Sequence, residues 1–227
     1  DNVFGVILGN GWYNLFTHDA WGFRHASWRD QPKLLAQFEI ESPDGTRKVV
    51  ATNSTWNHST GPIVFDGLRH GEVYDARLEK PGWADPDTKA HGWRRSVLVP
   101  APGGALHSQQ HPPIRVTDTI QPVGLEQVRP GVWVYDLGQN ISGWAQLRVR
   151  APRGTEIVLR YAEKRTADGD IDQANIRGLI RSGECQTDRY ICKGEGEEVW
   201  EPRFTFHGFR WVQVTGVPGE LTVENLA

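Results

Sequence analysis

Acidic side chains at two places in this 227-residue chain have a spacing that could do chemistry. Asp168, Asp170 and Asp172 alternate as the early ligands of a calcium loop do. The glycine such a loop needs next is Gln173, and its closing glutamate falls on Leu179, so a solvated loop is expected there instead. Glu195, Glu197, Glu198 and Glu201 crowd one turn, and glycoside hydrolysis does use two carboxylates about 5 to 9.5 Å apart. No apolar pocket is legible around them to raise one pKa into the range of a general acid, so they read as exposed charges on a hairpin. His207 stands alone between aromatic residues and reads as a packed, hydrogen-bonded core residue. Cys185 and Cys192, joined by an extended segment, would stand about 23 Å apart at ~3.3 Å per residue. A disulfide tolerates a Cα separation of only about 7 Å, so two free thiols are expected. A structural zinc site is not expected, because there is no CxxC pair and no histidine cluster. The sequence also has no GxSxG, no HExxH and no phosphate-binding glycine loop. Asn53, Asn57 and Asn140 open N-glycosylation patterns, which matter only in a eukaryotic secretory pathway.

The elements that must position these residues are organised around VWEPRFTFHGFRWVQVTG, residues 199–216. Its aromatic and β-branched density predicts a buried strand. Phe204 and Phe206 before Gly208, then Phe209 and Trp211 after it, predict a change of side-chain parity at the glycine, as at a β-bulge. Earlier in the chain, VFGVIL at 3–8 reads as a buried strand entering a tight turn at Gly9-Asn10-Gly11. Residues 14–30 have no period of either kind. Ala36, Phe38 and Ile40 alternate with polar residues and lead through Pro43-Asp44-Gly45 into 48–52, a hairpin pattern. Gly and Pro punctuate 54–83. PAPGGALHSQQHPP, starting at Pro100, has almost no large apolar residue and marks a domain boundary.

Beyond it, 133–137, 145–149 and 157–161 read as half-buried antiparallel strands. Residues 171–182 read as a polar loop or short helix, and 187–193 as a strand whose hairpin partner is the start of the 199–216 stretch. The expected fold is therefore all-β, two β-sandwich domains in tandem: 1–100, a linker at 101–113, then 114–227. A formal net charge of -3 with interspersed signs suggests neither a nucleic-acid nor an anionic-membrane partner, and no apolar run has membrane-spanning length. Ten tryptophans stand out, and most are expected in the core.

LGNGWY at 8–13, GPI at 61–63, GEVYDARLEKPGW at 71–83, YDLGQNISGW at 135–144, RYAE at 160–163 and EPRFTFHGFRWVQVTG at 201–216 together resemble, in order, the non-catalytic domains of the bacterial α-L-rhamnosidases, a glycoside hydrolase family 78-like group. The resemblance covers nearly the whole chain. It implies a jelly-roll, carbohydrate-binding-like domain, expected to lack its first strands, followed by a concanavalin-like sandwich. In that family these precede a catalytic (α/α)₆ barrel whose acidic motif has no counterpart here, so the resemblance implies a fragment without catalytic residues. The implied partners are that barrel and a rhamnosyl-containing glycan or glycoside. The implied setting is bacterial and soluble, cytoplasmic or secreted. Some members hold a terminal rhamnose through calcium, and the matching positions here are Asn10, Asn57 and Pro62. The resemblance thus implies a sugar site at Asn10, Trp12, Tyr13 and Asn57, and Ca²⁺ as a candidate cofactor with fewer charged ligands than it prefers.

Overall fold

A computed structural model describes residues 2–88 and 91–227. In the first half, β1 (Gln37–Glu41) and β2 (Arg47–Ala51) form the expected hairpin. β3 (Asn57–His58), β4 (Ile63–Gly67), β5 (Gly71–Asp75) and β6 (Arg94–Arg95) follow, with β3 paired to β6. In the second half come β7 (Gly124–Arg129), β8 (Val132–Gly143), β9 (Leu147–Val149), β10 (Glu156–Ala162), β11 (Lys164–Arg165), β12 (Ile171–Asp172), β13 (Thr187–Ile191), β14 (Glu198–Trp200) and β15 (His207–Thr215). The one α-helix among the described residues is a single turn, α1 (Ala174–Arg177). Among the described residues no helix is long and apolar enough to cross a membrane.

One seven-stranded sheet, in the order β4-β5-β13-β10-β15-β8-β7, dominates the molecule. Two of its strands, β4 and β5, come from the first half of the chain. β5 joins by parallel pairing to β13, with Val73 opposite Arg189 and Tyr74 opposite Tyr190. The short sheet β9–β14 packs over the large one and supplies the second layer, with Leu147, Val149 and Trp200 in the same core as Tyr135, Leu159 and Phe209. The alternation of Ile157, Leu159 and Tyr161 turns all three inward, where they are fully buried.

Several expectations are corrected. The 199–216 stretch is two strands with an irregular segment at 201–206, and they lie in different sheets, β14 with β9 and β15 with β8 and β10. The register shift falls between Phe209 and Trp211 rather than at Gly208. Phe209 therefore faces the main core together with Val212 and Val214, and Trp211, half-buried, packs against the second cluster of Val134, Ala162 and Ile171 with the guanidinium groups of Arg165 and Arg210 over its ring. β13 does not form a hairpin with β14; its neighbours are β10 and β5.

Residues 3–8 are not a buried strand. Val3, Phe4, Val6, Ile7 and Leu8 are exposed, and the segment runs as an irregular strap. Its glycines make the close contacts: a Cβ on Gly5 would stand 2.2 Å from the Trp83 ring, and one on Gly9 would stand 2.4 Å from Phe204. Backbone lying flat on aromatic rings leaves the neighbouring side chains pointing outward.

Cys185 and Cys192 are free and buried. Glu198 is not an exposed hairpin charge. It is 3% exposed, and its carboxylate accepts from Tyr190 Oη (2.7 Å), Lys193 N (2.9 Å) and Gly194 N (2.9 Å), tying the turn after β13 to β14.

Candidate functional site

The irregular segment 10–30 is where exposed aromatic surface gathers. Trp12, Trp21 and Trp28 are 55%, 51% and 57% exposed, against an expectation that most tryptophans would be core. They share Phe23 as a common neighbour, at ring-centroid distances of 5.6, 6.5 and 6.3 Å. Arg69 lies over the group, its guanidinium carbon 4.8 Å from the Trp12 ring and 4.3 Å from the Trp21 ring. Cationic and aromatic faces attract at this range.

Asp19, 2% exposed, holds this arrangement. Its Oδ1 accepts from Trp21 N (3.0 Å) and Gly22 N (2.8 Å), and its Oδ2 meets Arg69 Nη1 at 3.0 Å. The surface is stitched to the second half of the chain. Ala20 N donates to Leu179 O, Arg181 N to His18 O, and Gln186 N to Arg69 O. Arg24, His25 and Arg181 face His18. Loss of solvation, followed by the guanidinium charges of Arg24 and Arg181, holds its pKa below the ordinary histidine value.

Asn10 is an internal brace. Its backbone N–H and its amide Nδ2 donate to the Asp66 carboxylate at 2.8 and 2.9 Å, and its Oδ1 accepts from Asn14 Nδ2 at 2.6 Å. Arg29 continues the chain of bonds to Asn14 Oδ1 at 2.9 Å. Burial raises the Asp66 pKa, against the opposing pull of Asn10's two donors. The Pro62 carbonyl accepts from Asp75 N at 2.8 Å, and Asn57 lies exposed on β3, with Arg95 as its strand partner.

These donors do not fit a calcium shell. The Asn10 oxygen already accepts from Asn14, the Pro62 carbonyl accepts from Asp75 N at the end of the β4–β5 ladder, and among the described residues no hydrogen bond joins Asn57 to either. Among the described residues no cluster of three His, Cys, Asp or Glu side chains could hold a metal. Trp12 does present an open face, and Tyr13 is half-buried beside it.

Asp19, Asp66 and Arg69 escaped the sequence reading. Asp19 did leave one sign, since an aspartate two residues before Trp21-Gly22 is a common acceptor for turn N–H groups. Arg69 left none, because its role depends on where β4 and β5 bring it.

An all-β body built on one seven-stranded sheet, with aromatic side chains open on one surface, falls in the class of β-sandwich proteins. The chain belongs to the α-L-rhamnosidase family: residues 1–118 match the α-L-rhamnosidase N-terminal domain, and 126–227 match the bacterial α-L-rhamnosidase concanavalin-like domain. An α-L-rhamnosidase from Streptomyces avermitilis is 39% identical over 96% of this chain, which covers 21% of that relative. The Streptomyces avermitilis enzyme's crystal structure, complexed with L-rhamnose, superposes with a TM-score of 0.87 at 38% identity, over 96% of this chain and 20% of that one. An α-L-rhamnosidase from Dictyoglumus thermophilum gives a TM-score of 0.82 at 42% identity, over 87% of this chain and 22% of that one. The chain thus spans about a fifth of the length of the curated relatives it matches.

Proposed function

We propose that this chain is the accessory β region of an enzyme that hydrolyses terminal α-L-rhamnosides, and that it supports the catalytic (α/α)₆ barrel without activity of its own. The observation that carries this reading is the match in extent: relatives named as α-L-rhamnosidases align along 96% of this chain but only 21% of their own length. The seven-stranded sheet supports it, because strands from before and after the linker make one block on which a further domain could be fixed. In this reading 1–100 and 114–227 are sequence modules joined through 101–113 and fused in space by the pairing of β5 with β13. The test is an assay of the purified, folded chain on an aryl α-L-rhamnoside. No turnover is expected, and hydrolysis that survives further purification overturns the reading.

A second reading is favoured by the exposed tryptophans: a rhamnosyl-glycan-binding surface using Trp12 and Tyr13, with Asn10 bracing the turn and Asn57 on the exposed β3. Tryptophan faces stack on the apolar faces of sugars and pair burial with a polar handle. Calorimetric titration with L-rhamnose, run with calcium and with chelator, tests it. Saturable heat that is the same in both arms is expected if the tryptophan surface binds sugar without metal. A flat trace from folded protein removes this reading and leaves the first.

A further inference from the structure

Two carboxylates and an imidazole meet in the interior on three strands of the large sheet, where the first half of the chain is fastened to the second. Glu72 of β5, Asp188 of β13 and His207 of β15 are 1%, 0% and 1% exposed. Glu72 N donates to Asp188 Oδ1 at 2.8 Å, and Asp188 Oδ2 lies 3.1 Å from His207 Nε2. Glu72 Oε2 accepts from the backbone N–H groups of Arg203 and Phe204 at 3.0 and 3.1 Å. Those bonds hold the 201–206 segment, whose Phe204 ring carries the strap at Gly9.

The other Glu72 oxygen, Oε1, is buried with no hydrogen-bond partner among the described residues, as is His207 Nδ1. A buried carboxylate with one oxygen unpaired is costly, whereas a neutral carboxyl in the same place buries no charge. The Asp188 carboxylate accepts the Glu72 backbone N–H, and its negative charge at that range opposes ionisation of the Glu72 side chain.

We propose that Glu72, with Asp188 and His207, is a proton-dependent latch that fastens β4–β5 and the 201–206 segment to the large sheet, tight while Glu72 carries its proton and loosened once it ionises. The groups facing Glu72 are Asp188 on β13, His207 on β15 beyond it, Asp66 on β4, Tyr161 on β10, Tyr74 on its own strand and Arg203 in the 201–206 segment. Arg203 bonds to Glu72 through its backbone N–H. Burial pushes the Glu72 pKa up to about 7; the N–H groups of Arg203 and Phe204 pull it down, and the charges of Asp188 and Asp66 add to the rise. Because the folded value lies above the ordinary 4.5, the latch contributes fully at pH below 4.5. Its contribution falls as pH rises through that window and is gone above about 7.

The experiment is urea unfolding of the chain and of Glu72→Gln from about pH 5 to about pH 8, comparing the two profiles so that every other titrating group cancels. The expected result is that wild type loses stability relative to Glu72→Gln as pH rises, by roughly 100-fold in the folding equilibrium constant across the window. Amide protection at Arg203 and Phe204 should fall over the same range in wild type only. Parallel profiles overturn the proposal. Should Glu72→Gln not fold, side-chain carboxyl NMR of the wild-type chain decides: a glutamate titrating near neutrality supports the latch, and glutamates that all titrate below about pH 6 overturn it.

Discussion

Asp19 and Arg69, fifty residues apart in the chain, meet at 3.0 Å, and the same aspartate caps the backbone of the loop that carries Trp21. One buried carboxylate therefore sets both the loop's shape and the position of the cation that the tryptophans flank. Removing it leaves Arg69 and two N–H groups without their acceptor. Asp19→Ala should cost about 2–4 kcal/mol, since breaking a largely buried pair strands the remaining charge. It should also red-shift tryptophan emission as Trp12 and Trp21 lose their packing. A denaturation midpoint and emission spectrum matching wild type would mean that the loop holds itself.

If the tryptophan surface takes sugar, Trp12→Ala should weaken L-rhamnose heat at least tenfold. It should do so with little loss of fold stability, because Trp12 is more than half exposed. Asn10→Ala should act differently. It breaks the bonds to Asp66 and Asn14 and should lower the thermal midpoint whether or not calcium is added. A calcium-dependent midpoint that Asn10→Ala abolishes would restore the metal to that turn.

Glu198 gives an acid-side counterpart to Glu72. Burial pushes its pKa up, but the Lys193 N–H, the Tyr190 hydroxyl and the Gly194 N–H outweigh burial, and the net shift is downward. A depressed folded pKa means stability that is present above the ordinary 4.5 and lost as pH falls through the lower folded value. Glu198→Gln should flatten the acid limb of the unfolding profile, and Glu198→Ala should cost about 2–3 kcal/mol at neutral pH by orphaning three donors. The decisive comparison is the wild-type and Glu198→Gln midpoints below pH 4.5, which should converge.

What the sequence disclosed follows from how local each signal is. The alternation at Ile157, Leu159 and Tyr161 and the β1–β2 turn at Pro43-Asp44-Gly45 depend on near neighbours, and each was legible; 171–182 was legible only as a polar loop or short helix, of which one turn forms at 174–177. His207 was read correctly as a bonded core residue because a histidine hemmed by aromatics has few other fates. Three readings failed because their causes are distant in sequence. The 3–8 strap looked like a buried strand until Trp83 and Phe204 occupied its glycines. Glu198 looked like one exposed acid among four until Tyr190 and the 193–194 N–H groups turned toward it. The partner of β13 was expected next along the chain, but β5 lies more than a hundred residues back. In the candidate site, Trp12 and Tyr13 were legible by type, whereas Asp19 and Arg69 required the fold.

That parallel pairing rests on a glycine. Gly71 begins β5 with φ +128°, and a Cβ there would stand 2.0 Å from Thr187 O and 2.7 Å from Asp188 Oδ1. Thr187 N in turn donates to His70 O at 2.6 Å, so the backbones touch where β5 meets β13. No other residue tolerates both the positive φ and the approach. Gly71→Ala should therefore cost at least about 3 kcal/mol, more than a loop glycine such as Gly45, where nothing lies within 4 Å of the added atom. The two effects separate by measurement. If Gly71→Ala lowers the urea midpoint steeply and strips amide protection from 71–75 while 156–162 keeps theirs, the close approach is what joins the halves. If protection falls evenly across the large sheet, the halves unfold as one unit, and β5 belongs to the core of that unit. If the midpoint does not move at all, the pairing of β5 with β13 at Gly71 is not as close as described.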